Sequence, residues 1–139
     1  MPRKDIYHEG VKIALEKDGW TVTDDPLQVI VDDSTIYIDL GIEPTYYAER
    51  NGEQIAVEIK SFRLQSSITS MYEALGKYCI YKTALRMSDF NHILYLAVPL
   101  GAYNSFFQRT LIQETMKDYS VNLIVYDITE NTIISWIKH

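Results

Sequence analysis

Residues 36–60 read IYIDLGIEPTYYAERNGEQIAVEIK, and this stretch decides how the rest of the chain can fold. It contains two apolar runs that each end on charged residues, Asp39 in the first and the triplet Glu58-Ile59-Lys60 in the second. Asn51-Gly52 between them is the signal of a two-residue β-hairpin. Charged side chains at the inner end of a strand are costly unless something uses them, and a metal ion is one such use.

Side-chain alternation assigns these charges to faces of the predicted strands. In the strand predicted over 36–40, Asp39 points to the face opposite the two isoleucines. In the second hairpin arm, over 53–60, Glu58 and Lys60 are two residues apart and share one face. If the hairpin and its neighbour belong to one sheet, the three charged side chains converge at one end of it.

The residue types at this end suit metal-dependent chemistry. The carboxylates of Asp39 and Glu58 and the backbone carbonyl of Ile59 are hard oxygen ligands, which magnesium prefers and manganese accepts. Lys60 beside such an ion could orient or deprotonate a water and offset charge on a phosphate. The pattern therefore outlines a phosphodiester hydrolysis site. The alternative is that a common Glu-x-Lys pattern merely marks a solvated strand end.

A helix predicted over Lys4–Asp18, with Gly19 placed to end it, carries a further candidate. At about 100° per residue, Glu9 falls just outside the edge of the apolar face of this helix. Glu9 could therefore reach a site beside the sheet that the helix covers. The alternative is that Glu9 only faces water.

The order of the predicted elements indicates one domain, residues 1–139, built as a mixed sheet flanked by helices. The predicted strands lie at 20–23, 27–31, 36–40, 45–50, 53–60, 92–98, 121–126 and 132–137, and the helices at 4–18, 66–86 and 99–117. The helix over 66–86 is expected to bury an apolar stripe of Ile68, Met71, Tyr72, Leu75, Tyr78, Cys79 and Leu85.

Composition limits the functional classes. The single Cys79 excludes an internal disulfide and a cysteine-based zinc site. No apolar run approaches the roughly 20 residues of a membrane span, and the N-terminus lacks the apolar core of a signal peptide. These features predict a soluble protein of the cytoplasm.

The net charge of −6 argues against a protein that coats nucleic acid by bulk electrostatics. The charge is uneven, however, because residues 59–88 carry +4 and the remainder carries −10. A local basic face for DNA is therefore predicted, and its alternative is a solvated helix face. Besides Lys60, its candidate residues are Arg63, Lys77, Lys82 and Arg86.

Several segments together resemble one known family. In chain order they are MPRKDIYHEGVKIALEKDGWTVTDDPL, YIDLGIE, IAVEIKSF, EALGKY and ILYLAVP. They are similar to the XisH family, which is named for control of the excision of the fdxN DNA element. The resemblance covers nearly the whole chain, and IAVEIKSF and the opening KDxxH…ALxKDGW are its most specific pieces.

The resemblance implies a restriction-endonuclease-like fold of the PD-(D/E)XK kind, with the core order α-β-β-β-α-β. Carried over by position, Asp39 is the acidic residue of the first motif, Glu58-Ile59-Lys60 is the (D/E)XK triplet, and Glu9 is the acidic residue of the first helix. Two positions depart from the pattern. Ile38 stands where the wider motif has proline, and Lys77 stands where XisH-like proteins are expected to have glutamine.

Three functions follow as hypotheses, since a fold does not imply an activity. The first is an accessory factor in DNA rearrangement that retains a magnesium-dependent nuclease site and acts with a XisI-type companion protein. The second is a non-catalytic module on the same fold that binds DNA or a partner protein. The third is a helper protein whose aromatic surface pairs subunits into a homo-oligomer, which rests on the eleven tyrosines.

Overall fold

The predicted hairpin forms two adjacent strands of the sheet. Strands Thr45–Arg50 and Glu53–Ile59 pair antiparallel, from Arg50 opposite Glu53 to Thr45 opposite Glu58. Asn51 and Gly52 connect the strands with φ angles of 52° and 82°. Positive φ at both central residues is the geometry that matches the right-handed twist of a hairpin. The turn predicted from Asn51-Gly52 is therefore confirmed.

The computed structural model of the protein describes residues 6–23, 28–31, 34–37, 45–62, 67–87 and 91–139. Its helices are α1 (Ile6–Lys17), α2 (Ser67–Met87), α3 (Leu100–Asn104) and α4 (Thr110–Asp118), with a 3₁₀ turn at Phe106–Gln108. Its strands are β1 (Thr21–Thr23), β2 (Gln28–Val31), β3 (Ser34–Tyr37), β4 (Thr45–Arg50), β5 (Glu53–Ile59), β6 (Ile93–Pro99), β7 (Leu123–Asp127) and β8 (Thr132–Ile137). Within these ranges, no helix combines the length and the apolarity that crossing a bilayer requires.

Six strands form one mixed sheet in the order β1-β4-β5-β6-β7-β8. The three central strands β5, β6 and β7 run parallel, and the remaining pairs are antiparallel. Their parallel direction defines two edges. We call the edge where they end, at Ile59, Pro99 and Asp127, the carboxyl edge, and the opposite one the amino edge. The predicted mixed sheet flanked by helices is confirmed.

Alternation along β5 divides the core into two layers. Ile55, Val57 and Ile59 are buried on the face that α1 covers. Ala56 is buried on the face that α2 and α4 cover. Glu58 continues the series of Ala56 and therefore faces α2, because side chains two residues apart share a face.

The strand at Ser34–Tyr37 does not join this sheet. It pairs with Gln28–Val31 in a separate two-stranded sheet, so the expectation that the strand over 36–40 lies beside the hairpin is wrong for its described residues. The physical reason is that β1 pairs with β4 and occupies the side of β4 that the strand at Ser34–Tyr37 would have needed. A two-residue connection also favours local pairing, since a short loop costs little entropy to close.

The predicted helix over 99–117 is wrong as one continuous element. It is divided into α3, the 3₁₀ turn and α4 by breaks at Ser105 and Arg109, where Arg109 is extended with φ −67° and ψ 137°. The rings of Phe106 and Phe107 both pack against Phe62, with centroid distances of 6.1 and 5.3 Å. These two contacts hold the 3₁₀ turn against the residue that follows β5 closely in the chain.

The buried face of α2 also differs from the predicted stripe. Tyr72 is 68% exposed, and Ile68 lies partly exposed near it. The residues that contact the sheet share a spacing of three and four: Met71, Ala74, Tyr78, Tyr81 and Leu85. The small side chain of Ala74 lets the helix approach the sheet closely, whereas a tyrosine at position 72 can remain at the surface because its ring has a polar end.

Two glycines give a matched test of helix packing. A Cβ at Gly10 in α1 would lie 2.5 Å from Ile128 Cδ1 and 2.8 Å from Asn131 Oδ1, whereas a Cβ at Gly76 in α2 would meet nothing within 4 Å. Overpacking costs about 1–3 kcal/mol, and alanine gains up to about 1 kcal/mol of helix propensity over glycine. In denaturant titrations, we expect Gly10→Ala to lower the free energy of unfolding and Gly76→Ala to raise it. A gain in both variants would contradict close packing at Gly10.

Candidate functional site

Glu58 is the most deeply buried charged side chain of the carboxyl edge among the described residues. It is 3% exposed and lies on the face of β5 that α2 covers. The charge of Glu58 affects the pKa of Tyr78 in α2. Burial raises the pKa of Tyr78 to about 12, a hydrogen bond from the Asn122 N–H opposes this rise, and the negative charge of Glu58 adds to it. A carboxylate is seldom buried to this degree without a cation or donors to compensate it.

Lys60 is oriented toward α2 by an ion pair. Its Nζ lies 2.9 Å from Oε2 of Glu73, and the two side chains are 17% and 50% exposed. Lys60 thus lies on the same side of the sheet as Glu58, as alternation predicts. Sequence reasoning missed the role of Glu73, which it counted only as a charge. Glu73 is the first residue of the EALGKY segment, but nothing in the sequence determined which side of α2 faces β5.

The backbone of Ile59 is oriented by the parallel ladder. The N–H of Lys60 donates to the carbonyl oxygen of Ala97 at 3.2 Å. Successive residues of a strand direct their backbone groups to opposite sides, so the carbonyl of Ile59 points away from β6 and toward the side of β4. The described part of β4 begins at Thr45, opposite Glu58. The carbonyl predicted as a ligand is therefore outside the β5–β6 ladder.

Glu9 lies at the same edge of the sheet, on the other face. The ring of Tyr7 contacts that of Tyr126 at the end of β7, with centroids 6.4 Å apart. Gly10 approaches Ile128, which follows β7. These contacts place the first two turns of α1, including the half-buried Glu9, at the carboxyl edge. Glu9 and Glu58 therefore approach that edge from opposite faces.

The predicted metal ligands fit a hard cation in their donor chemistry. The Glu58 carboxylate and the Ile59 carbonyl are oxygen donors, and magnesium commonly takes one or two carboxylates together with water. Asp39, the other predicted carboxylate, lies outside the described residues, as do Ile38 and Arg63. Within the described ranges, His, Cys, Asp and Glu side chains form no group of three that could hold a metal ion. A shared site consequently depends on Asp39.

The predicted DNA contacts on α2 do not form one face. At about 100° per residue, Lys77 lies about 140° around the helix from Lys82 and about 180° from Arg86. Lys77 is one turn from Glu73, in the middle of the helix. Lys82 and Arg86 lie in the last turns of the helix, where Lys82 Nζ is 3.4 Å from the carbonyl oxygen of Ser120. DNA binding by these residues stays a prediction.

Comparison with known proteins agrees with the resemblance seen in the sequence motifs. Residues 1–134 match a family model described as XisH protein. An XisH family protein from Nostoc punctiforme PCC 73102 has a solved structure that is 42% identical, with a TM-score of 0.86 and coverage of 96% of this chain and 99% of that one. An fdxN element excision controlling factor protein from Anabaena variabilis is 41% identical, with the same TM-score and coverage. A search of curated proteins found no match.

Glu58→Gln tests whether the buried carboxylate is kept at a cost to stability. The glutamine retains the shape of the side chain and removes a charge, and taking a charge out of water costs several kcal/mol even where partners surround it. In metal-free buffer, we expect the free energy of unfolding of the variant to exceed that of the wild type by about 1–3 kcal/mol. Glu53→Gln, at the exposed start of the same strand, is the control and should change stability by less than about 0.5 kcal/mol. Destabilisation by Glu58→Gln would instead identify the charge as a structural requirement.

Proposed function

The chain belongs to the XisH family, and from this membership we propose that it is an accessory factor controlling excision of a DNA element and that it carries a magnesium-dependent phosphodiesterase site. The similar protein from Anabaena variabilis is named as an fdxN element excision controlling factor. The observation that carries the second part is the buried Glu58 carboxylate beside Lys60 at the end of a central strand.

The residues that would bind the ion are Asp39, Glu58 and the carbonyl of Ile59, with Glu9 assisting from α1. Magnesium, or manganese in its place, would supply Lewis-acid activation of a phosphodiester in the DNA. Glu58 is well suited to this task because its position on a central strand and its burial leave its carboxylate little freedom to move. A ligand held rigidly in this way loses little entropy when the ion binds.

Lys60 would act on the substrate phosphate. Its side chain is mostly covered, and the ion pair with Glu73 holds the ammonium group on the α2 side of the carboxyl edge. A positive charge fixed beforehand stabilises charge that develops on a phosphate without reorganisation during the reaction. Glu73 would therefore serve as a positioning residue for Lys60.

The proposed partners are DNA and a XisI-type companion protein. Because the chain carries a net charge of −6, DNA contact would have to be local. The first candidates are Lys77 and Arg63. Pairing of two copies of the chain through aromatic surface residues stays a hypothesis.

A second candidate function is a non-catalytic module that binds DNA or a partner protein on the same fold. The Lys60–Glu73 ion pair favours this second function, because connecting β5 to α2 is by itself a sufficient role for a lysine paired with a carboxylate. The two candidates differ in whether the carboxyl edge binds a divalent ion and in what Glu73 does.

Metal binding is the decisive measurement for the proposed site. With 10 mM magnesium and a dissociation constant of about 1 mM, binding to the folded state would stabilise the protein by about 1.4 kcal/mol. We expect thermal unfolding to show this shift with magnesium or manganese and to lose it in Asp39→Ala and Glu58→Gln. Lys60→Met should retain the shift and abolish nicking of supercoiled DNA. Glu53→Gln is the control for a general charge effect. If the wild type shows no shift and calorimetry shows no binding, the metal site is refuted.

Glu73→Gln separates positioning from structural support. A pair with one half-exposed partner contributes little to stability, about 1 kcal/mol or less. We therefore expect the free energy of unfolding to change by less than that amount while the rate of DNA nicking falls about tenfold. Glu73→Asp should recover part of the nicking rate. Glu114→Gln, at an exposed position of α4, is the control for the loss of a surface carboxylate and should leave the nicking rate unchanged. A large loss of stability with an unchanged nicking rate would show that the ion pair is only a structural link.

A further inference from the structure

We propose that the amino edge of the sheet carries a second site, a cleft between α2 and the starts of β6 and β7 that binds a phosphate group. The cleft has a volume of about 500 Å³, within the range of small-ligand sites, about 300–1,000 Å³. Its walls include Lys82 and Arg86 from α2, Asn91 and His92 before β6, and Asn122 before β7. It lies at the edge opposite Glu58 and Lys60, and its ligand requires no metal ion.

Hydrogen bonds fix the floor of this amino-edge cleft. The Tyr78 hydroxyl donates to the carbonyl oxygen of Leu94 at 3.0 Å and accepts the N–H of Asn122 at 2.9 Å. The side-chain amide of Asn122 donates to the same Leu94 oxygen at 3.3 Å, and its Oδ1 accepts the N–H of His139 at 3.1 Å. These bonds connect α2, β6 and β7, so the cleft is formed before any ligand arrives.

The side chains of the cleft provide hydrogen-bond donors and positive charge. Lys82 and Arg86 are one helical turn apart on the same side of α2, and no carboxylate is among the described lining residues. Like charges at this spacing destabilise a helix, and a bound anion would remove this repulsion. Within the described part of the chain, the guanidinium of Arg86 makes no hydrogen bond or ion pair, and neither does the amide of Asn91.

The geometry of arginine favours phosphate as the anion. Its planar fork of donors matches two oxygens of a phosphate group, and lysine adds a point charge. The phosphate can belong to a free nucleotide or to the backbone of a DNA strand. β6 has seven residues, so the amino edge is about 20 Å from the carboxyl edge at about 3.3 Å per residue. A backbone phosphate in the cleft would therefore anchor DNA separately from the proposed hydrolysis site.

Binding of dAMP and of a short DNA duplex, measured by calorimetry in EDTA, tests the cleft. We expect the double variant Lys82→Gln/Arg86→Gln to weaken binding of at least one probe tenfold or more. Lys77→Gln is the matched control, because it removes one charge from the opposite side of α2, and it should change dAMP affinity less than twofold. Arg86→Lys keeps the charge but not the fork, and it should lose part of the affinity.

The two probes separate the sources of the phosphate. Loss of dAMP binding with unchanged duplex binding would assign the cleft to a nucleotide, and loss of duplex binding alone would assign it to the DNA backbone. For the duplex, log K falls as log salt rises, and removal of two phosphate contacts should make this slope less steep by about two.

The proposal would be overturned if the double variant bound dAMP and the duplex as tightly as the wild type does. It would also be overturned if Lys77→Gln lost as much dAMP affinity as the double variant. Both substituted side chains are exposed, so folding should be retained, and unfolding curves check this. Glu58→Gln should leave dAMP binding unchanged. Failure of the metal site and failure of the cleft are thereby distinguished.

Discussion

The burial of one carboxylate, that of Glu58, is the constraint on which the arrangement of the carboxyl edge depends. β5 lies between an antiparallel and a parallel neighbour, and both of its faces are covered by helices. A central strand in this position is normally apolar throughout. Five of its seven residues are buried, and Glu58 alone among those five is charged. The sheet therefore supports a charged group at a place where apolar residues would give greater stability, and this is the usual sign that the group has a chemical use.

The helix α2 connects the two edges of the sheet. Near its start, Glu73 meets Lys60, and in its middle Tyr78 binds β6 and the segment before β7 through its hydroxyl. Near its end, Lys82 and Arg86 line the amino-edge cleft. Because 21 residues of one rigid helix carry all of these groups, the position of the ammonium group at one edge and of the cleft at the other depends on the same packing against the sheet.

Local signals in the sequence predicted much of this fold, and tertiary contacts explain the rest. The hairpin at Asn51-Gly52 and the shared face of Glu58 and Lys60 follow from turn chemistry and alternation, which need no knowledge of distant residues. The ion pair of Lys60 with Glu73 could not be read in the same way. It depends on the rotation of α2 about its axis, which small residues such as Ala74 fix by packing and which a surface Tyr72 obscures in the sequence. The pairing of Ser34–Tyr37 was likewise decided by competition, since β1 already occupies the free side of β4.

The balance of charge at the carboxyl edge connects the catalytic and non-catalytic hypotheses to one measurable quantity. Among the described residues, Lys60, its ion-pair partner Glu73 and the buried Glu58 together carry one ammonium and two carboxylates, a net charge of −1. Asp39 would add a further negative charge if it joins them. A phosphodiester is itself an anion, and the negative charge of the buried Glu58 repels it because screening by water is weak there. DNA can approach such a site closely only when a divalent cation offsets the local negative charge. For this protein, the affinity of the carboxyl edge for a divalent cation therefore decides between the catalytic and the non-catalytic hypothesis.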